Sequence, residues 1–362
     1  MILDGEIEEE IIDVNEAEEA MAPVRYDISS YGADYTVDSL VKRLNDNNIF
    51  IPPFQRDYVW NQTEASRLIE SLLLGLPIPG VFLAKEQSSN KLYVIDGQQR
   101  LRSIQFFLNG FFNPNKDDRY KKTFKLIKVQ ERFEGRAYID LEESDKVKLD
   151  DSIIHATIIK QESPSNDNTS IYHVFERLNT GGRKLTSQEI RSAIYIGKLN
   201  ELIFELNEYS SWRELFGKKS IRLKDQELVL RFFALYYDFD LYQKPLNEFL
   251  NKFNSKNRNP SDDFIDESRK IFISTIDLIY NTIGKTAFRP EKVFNAAACE
   301  VLMVGFAKMI KAGRVIENTR IKPILGRLFE DANFKDYVTR GTSDENVIAK
   351  RHELFEQYFH EL

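Results

Sequence analysis

Lys91-Leu92-Tyr93-Val94-Ile95 followed by Asp96-Gly97-Gln98-Gln99-Arg100 is the stretch on which the reading of this chain turns. The first five residues alternate as a strand does. The apolar positions that follow, Leu101, Ile104, Phe107 and Leu108, have the spacing of an amphipathic helix. A turn with one glycine thus joins a strand to a helix, and it carries an acid, two amides and an arginine. Backbone N–H groups at a helix start have no intrahelical partner and favour anions. An arginine one turn in adds a fork of donors for phosphate oxygens. A capped helix, with Asp96 as N-cap and Arg100 in solvent, accounts for the same residues.

Two further segments carry the same kind of chemistry. The first is Ile51-Pro52-Pro53-Phe54-Gln55-Arg56-Asp57-Tyr58-Val59-Trp60, which precedes a helix with Ala65, Leu68, Ile69, Leu72 and Leu73 on one face. The second is Val174-Phe175-Glu176-Arg177-Leu178-Asn179-Thr180-Gly181-Gly182-Arg183-Lys184-Leu185, followed by Thr186-Ser187-Gln188-Glu189, which has the shape of a capping box. Each sets an arginine and an amide side chain beside a turn, and paired glycines let backbone approach a ligand closely.

Together the three segments resemble the N-terminal domain of the GmrSD-type restriction proteins, which belongs to the wider ParB/sulfiredoxin-like fold. The residues that carry the resemblance are Phe54-Gln55-Arg56 with Tyr58 and Trp60, then Ile95 to Leu101, then Phe175-Glu176-Arg177-Leu178-Asn179-Thr180-Gly181-Gly182. A weaker C-terminal piece, Gly341-Thr342-Ser343-Asp344 leading to Arg351 and Phe355, also matches. The resemblance covers residues 35–195 well and the rest loosely. It implies nucleotide binding and NTP hydrolysis, with ATP or GTP, coupled to attack on foreign DNA. Longer members carry a second domain with an HNH-like nuclease motif, a histidine followed by a nearby proline. No histidine here is followed in that way. The resemblance therefore points to a stand-alone module that works with a separate nuclease subunit, or whose role ends at nucleotide sensing or weak nicking.

The residue chemistry fits phosphoryl transfer, which needs charge neutralisation, a positioned nucleophile and often a metal. Arg56, Arg100 and Arg183 are the candidate cations. Gln55, Gly97, Asn179 and Thr180, with the amides of Gly181 and Gly182, are candidates for holding the nucleotide. Asp96 is the best acid for Mg²⁺ or another divalent cation, an ion that needs few carboxylates. Gln98 or Gln99 could orient an attacking water, or hydrogen-bond the base or ribose. With Asp96 and Arg100 they form the candidate catalytic set. The same pocket could nick a DNA phosphate, or could bind nucleotide without turning it over. There is no Gly-rich run ending in Gly-Lys-Ser or Gly-Lys-Thr, so this is not a Walker NTPase. His155, His173, His352 and His360 lack metal-ligand spacing and read as structural or exposed.

Composition bounds the rest. A chain of 362 residues with 42% hydrophobic and 12% aromatic content can bury a substantial core in one large or two ordinary domains. No apolar run approaches a membrane span, and the acidic N-terminus is unlike a secretory signal. The one cysteine, Cys299, permits no intrachain disulfide and reads as a small core residue, so a reducing cytoplasm is the expected setting. Residues 1–20 hold nine acids and no base, which leaves 48 acids and 50 bases elsewhere, a net of +2. Such an acidic block is solvated, or it fills a basic groove when nucleic acid is absent.

These signals predict an α+β fold: a ParB/sulfiredoxin-like N-terminal domain followed by an all-helical C-terminal domain. An acidic, flexible tail covers residues 1–30, a nucleotide-binding domain 31–197 and the helical domain 198–362. Strands are expected at Ile49-Phe50-Ile51, Gly80 to Lys85, Lys91 to Ile95 and Asp151 to Ile159. Long helices are expected at Leu223 to Tyr237, Asp262 to Ile283, Pro290 to Lys311 and Val347 to Tyr358. A helix from about Thr169 leads into the third motif. Two regions are candidates for contact with DNA. One is the basic run Lys116 to Arg136, with Tyr120 and Phe124 placed to stack bases. The other is Arg222, Lys224, Lys252 and Arg258. Oligomerisation is possible.

Overall fold

The computed structural model describes residues 11–12, 27–51, 58–85, 91–113, 121–163, 172, 186–314 and 318–360. Its strands are β1 (Ile11–Ile12), β2 (Asp27–Thr36), β3 (Ile49–Phe50), β4 (Val81–Lys85), β5 (Leu92–Asp96), β6 (Ile153–Ser163) and β7 (Phe294–Asn295). The chain divides into two compact units. One is Arg25–Lys184 with Ser192–Ile194; the other is Met1–Val24, Leu185–Arg191 and Tyr195–Leu362. The molecule is a mixed α and β protein, consistent with the α+β class.

The first unit is built on a five-stranded sheet of order β2-β6-β4-β5-β3. β4 and β5 are the expected antiparallel pair, with Leu83 opposite Val94 and Phe82 opposite Asp96. A register shift between Phe82 and Leu83 marks an irregularity at the end of the strand that leads into the Asp96 turn. β3 runs parallel to β5, and β4 runs parallel to β6. β2 is antiparallel to β6 along its whole length. No strand is expected from the sequence before Val37, yet β2 is ten residues long. It is an edge strand with one sheet neighbour, so its residues, Asp-Ile-Ser-Ser-Tyr-Gly-Ala-Asp-Tyr-Thr, need no apolar alternation. β2 also starts inside the segment read as an acidic tail.

Four helices pack with this sheet: α1 (Val37–Asn45), α2 (Gln62–Leu74), α3 (Gln98–Asn109) and α4 (Glu143–Asp150). The start of α2 is fixed by a capping box. The Asn61 side chain accepts from Glu64 N, and the Glu64 carboxylate accepts from Asn61 N. Gly75, at φ 75°, ends the helix in the left-handed conformation that glycine tolerates best. Leu40 and Leu44 of α1, Ile69 and Leu72 of α2 and Leu101, Ile104 and Phe107 of α3 are buried in one core with Leu83 and Val94. Phe124 belongs to this core, edge-on to Phe107 and Phe112, so it is not placed to stack on a base. It reads from sequence as part of a polar basic run because its neighbours are lysines.

In the second unit the helices Lys224–Tyr237, Asp262–Thr282 and Glu345–Phe359 all contact the central helix Ala296–Lys311. That helix is apolar on nearly every face, from Ala296 to Ala307 all buried, as a core helix must be. Gly305 lets Phe355 lie against its backbone: a Cβ there would sit 2.2 Å from the ring. Cys299 is buried in the same core, and burial pushes its thiol pKa up. The unit expected to be all helical contains one short strand pair, β1 parallel to β7. Phe294 and Asn295 therefore leave the helical pattern that the sequence suggests from Pro290. No helix among the described residues is long and apolar enough to cross a membrane.

Candidate functional site

The Asp96 turn is positioned by the core on either side of it. β5 brings the chain to the end of the sheet, and α3 leaves with Leu101, Ile104 and Phe107 buried. Gly97 between them is at φ 96°, and a Cβ on it would meet Val81 Cγ1 at 2.5 Å. Both the conformation and the space thus require glycine. Gly97 is the N-cap of α3, so no N-cap side chain bonds the helix start. This corrects the alternative in which Asp96 is the N-cap.

Asp96 instead pairs with Arg100, Oδ2 to guanidinium nitrogen at 2.6 Å. A second guanidinium nitrogen donates to Pro79 O at 2.8 Å. The Arg100 side chain is 14% exposed and that of Asp96 63%. The arginine is thus held in place while the carboxylate stands in solvent.

Gln99 does a different job. It is buried, and its Oε1 accepts from Val59 N at 3.0 Å and Trp60 N at 3.3 Å. One helical turn on, the Ser103 hydroxyl donates to Gln99 O and lies 2.7 Å from the Tyr58 hydroxyl. The Tyr58 ring stands edge-on to Phe106 at 5.0 Å. Burial pushes the Tyr58 pKa up to about 12; Ser103 lowers it and the Glu64 charge raises it further. The end of the first motif, Tyr58-Val59-Trp60, is therefore clasped to α3 through Gln99 and Ser103. A glutamine whose oxygen already serves two backbone donors is a positioning group, and Gln98, half-buried at the first position of α3, is the other amide of the turn. Ser103 and Pro79 have no sequence signal for these roles. A serine inside a helix and the carbonyl of a proline carry no pattern of their own.

Gln55, Arg56, Asn179, Thr180, Gly181, Gly182 and Arg183 lie outside the described residues, as do His173 and Glu176. The helix expected from Thr169 lies outside them too, apart from Tyr172. No group of three or more His, Cys, Asp or Glu side chains that could hold a metal occurs among the described residues. Mg²⁺ commonly takes only one or two protein carboxylates, with waters and substrate phosphates completing its shell. The exposed Asp96 carboxylate fits that requirement.

Several basic residues offered for DNA have partners within the protein. Arg132 pairs with Asp145 at 2.5 Å, and Arg136 donates to Asp140 O. Arg222 pairs with Glu189 at 3.5 Å, Lys224 with Glu227 at 3.3 Å, and Arg258 Nε donates to Ile196 O. Tyr120 is outside the described residues. Lys125, Lys128 and Lys252 remain exposed. In the C-terminal piece, Arg351 is fully buried against the Glu300 carboxylate and donates to Thr342 O. Asp344 caps the helix Glu345–Phe359. That piece acts as a clasp of the helical core.

Comparison with protein families places the first unit. Residues 37–196 match the GmrSD restriction endonuclease, N-terminal domain. The match spans all of the Asp96 turn, the clasp on Gln99 and the third motif. A search of curated proteins gave no match.

Proposed function

We propose that the GmrSD-like domain is an NTP-binding and NTP-hydrolysing module of a restriction system directed at foreign DNA, on a ParB-like fold. The family match supports the setting. The observation that carries the chemistry is the fixed guanidinium of Arg100 at an α3 start whose N-cap is glycine. Donors already held in place and aimed at charge are what stabilise a transferring phosphoryl group. Arg100 would hold phosphate oxygens, and Gly97 would let them approach the backbone. Asp96 would hold the divalent cation, which when bound supplies neutralising charge on the phosphates. Gln99 keeps Val59 and Trp60 against α3, and Gln55, Arg56 and Asn179 to Arg183 would be the further nucleotide-binding residues of this reading. ATP and GTP both suit this chemistry. DNA and a separate nuclease subunit are the macromolecular partners of this reading.

The test is steady-state hydrolysis and equilibrium binding of ATP and GTP with purified protein and Mg²⁺. Arg100→Ala should lower affinity or turnover at least about tenfold, because a charge-assisted hydrogen bond contributes roughly 1.5–3 kcal/mol. Unchanged binding and rate in a folded variant would reject the reading.

A further inference from the structure

His155 carries a second set of observations on the sheet of the first unit. It lies near the start of β6, opposite Asp34 of β2, and its Nδ1 is 2.8 Å from Asp34 Oδ1. Both side chains are open to solvent, 60% and 64% exposed. An exposed pair on an edge strand contributes little to stability, so fold maintenance is a weak reason for it.

Two glycines lie close to this histidine, one under its ring and one at its backbone carbonyl. A Cβ on Gly32 would lie 2.8 Å from the imidazole Cε1, and one on Gly80 would lie 2.7 Å from His155 O. Neither has a positive φ, so space and not backbone conformation explains both. The imidazole thus lies against the bare backbone of β2, and Gly80, just before β4, lies at the His155 carbonyl.

The register brings this pair to the Asp96 turn. Directly paired residues share a sheet face, as do residues two apart in one strand. Asp34 pairs with His155; Thr157, two residues on, pairs with Phe82, which pairs with Asp96. Asp34, His155 and Phe82 therefore share one face at one end of the sheet, and Asp96 sits opposite Phe82 across the register shift. β6 and β5 flank β4, and His155 lies two residues along β6 from the row of Phe82 and Asp96, so with strands about 4.8 Å apart and about 3.3 Å per residue the two are roughly 12 Å apart. Between them lie Gly80 and the Pro79 carbonyl to which Arg100 is bonded.

We propose that His155 is the general base of the hydrolysis assigned above and that Asp34 is its positioning residue. This rests on that reading. Asp34 accepts from Nδ1–H and leaves Nε2 as the basic atom. A water on the glycine-floored side gives its proton to Nε2 while its oxygen bonds to the terminal phosphorus. The bond from that phosphorus to the bridging oxygen breaks, and its electron pair leaves on the nucleoside diphosphate. His155 then returns the proton to solvent.

The experiment compares wild type, His155→Gln, Asp34→Asn and Arg100→Ala, each checked for folding by thermal melting. Measured are kcat, the dissociation constant of a non-hydrolysable NTP analogue, and the imidazole ¹⁵N resonances of His155 with and without that analogue. His155→Gln should lose about a hundredfold in kcat, typical of a lost general base, with binding unchanged. Asp34→Asn should lose kcat in the same direction and alter the His155 tautomer signals. In wild type the analogue should shift the His155 resonances. Full turnover by His155→Gln beside a crippled Arg100→Ala overturns the base while leaving the nucleotide site standing. Binding without turnover in wild type, or bound analogue with no shift at His155, overturns the base as well. Absence of both binding and turnover in wild type removes the base together with the site.

Discussion

Both units set arginines against carboxylates, and they do so in opposite surroundings. In the first unit Arg100 meets Asp96 at the surface, with the carboxylate 63% exposed. In the second, Glu227 is buried among Arg191, Arg231 and Lys224, and Arg351 is buried on Glu300. As strings, Thr186 to Arg191 and Gly341 to Arg351 are as motif-like as Asp96 to Arg100. Burial separates them. An enclosed ion pair must be complete or it destabilises the fold. A surface pair contributes little to the fold and leaves its groups available. The buried arginines also draw on neutral acceptors: Arg191 reaches Gln188 Oε1 and Asn247 Oδ1 besides Glu227.

The largest effect should come from breaking the buried pair. Glu227→Gln removes the carboxylate from enclosed guanidinium groups, a change that costs about 3–5 kcal/mol when a buried charge loses its partner. Chemical denaturation of the full chain should show that loss in the helical unit. Burial alone would raise the Glu227 pKa, but the charges of Lys224, Arg231 and Arg191 outweigh it and hold the carboxyl well below the ordinary range. Its stabilisation is therefore complete above the ordinary glutamate pKa of about 4.3 and falls as pH is lowered from there. The variant should lack that acid slope. A loss under about 1 kcal/mol would show the cluster to be solvated and would erase the contrast.

His352 probes the same core from the other sign. Burial pushes its pKa well below the usual histidine value, and the Arg351 and Lys308 charges add to this. The ring stands edge-on to Phe239 at 4.9 Å. Below about pH 6.5 the unfolded chain takes a proton there that the folded chain refuses, so stability should fall by up to about 1.4 kcal/mol per pH unit. In His352→Phe this part of the slope between pH 6.5 and 5 should vanish, since roughly that range follows the free histidine titration. Parallel pH profiles for the two proteins would contradict a neutral buried imidazole.

A smaller loss is expected at the join of the first two motifs. Tyr58→Phe keeps the ring against Phe106 and removes the contact to Ser103, so about 1 kcal/mol should go. Hydrogen exchange at the Val59 and Trp60 amides should quicken, because the clasp on Gln99 loosens. Exchange as slow as in wild type would mean that Gln99 holds the segment alone.

The sequence exposes the strand–turn–helix at Asp96, the hairpin of β4 and β5 and the long C-terminal helices because each has apolar residues at its own period. β2 escapes that test: an edge strand with Ser29, Ser30, Gly32 and Asp34 has no period to detect. The Phe294–Asn295 strand is two residues long and is continuous in composition with the helix after it. At the site, Asp96, Gly97 and Arg100 are legible because their types are unusual together. Gln99 is legible as an amide, though its partners are backbone N–H groups that no sequence pattern names. His155 and Asp34 are 121 residues apart in sequence, and only the β2–β6 register brings them together. The partners of the basic residues offered for DNA escape the string for the converse reason: charge is visible in a sequence and an ion pair such as Arg222 with Glu189 is not.

Asp96→Asn should have the smallest effect on the fold and so tests the comparison most sharply. The pair it breaks is at the surface, Arg100 keeps its bond to Pro79 O, and no side chain of Asp96 caps α3. The change in unfolding free energy should stay within about 1 kcal/mol, the range of exposed ion pairs. If the carboxylate stands ready for a divalent cation, Mg²⁺-dependent nucleotide turnover should nevertheless fall at least about tenfold, as roughly 1.5–3 kcal/mol of charge-assisted contact is lost. The two measurements together decide what the exposed pair is for. A large loss of stability with turnover intact would make Asp96 and Arg100 a fold element like Glu300 and Arg351. Stability retained with turnover lost would set the two kinds of arginine pair apart by function as well as by burial.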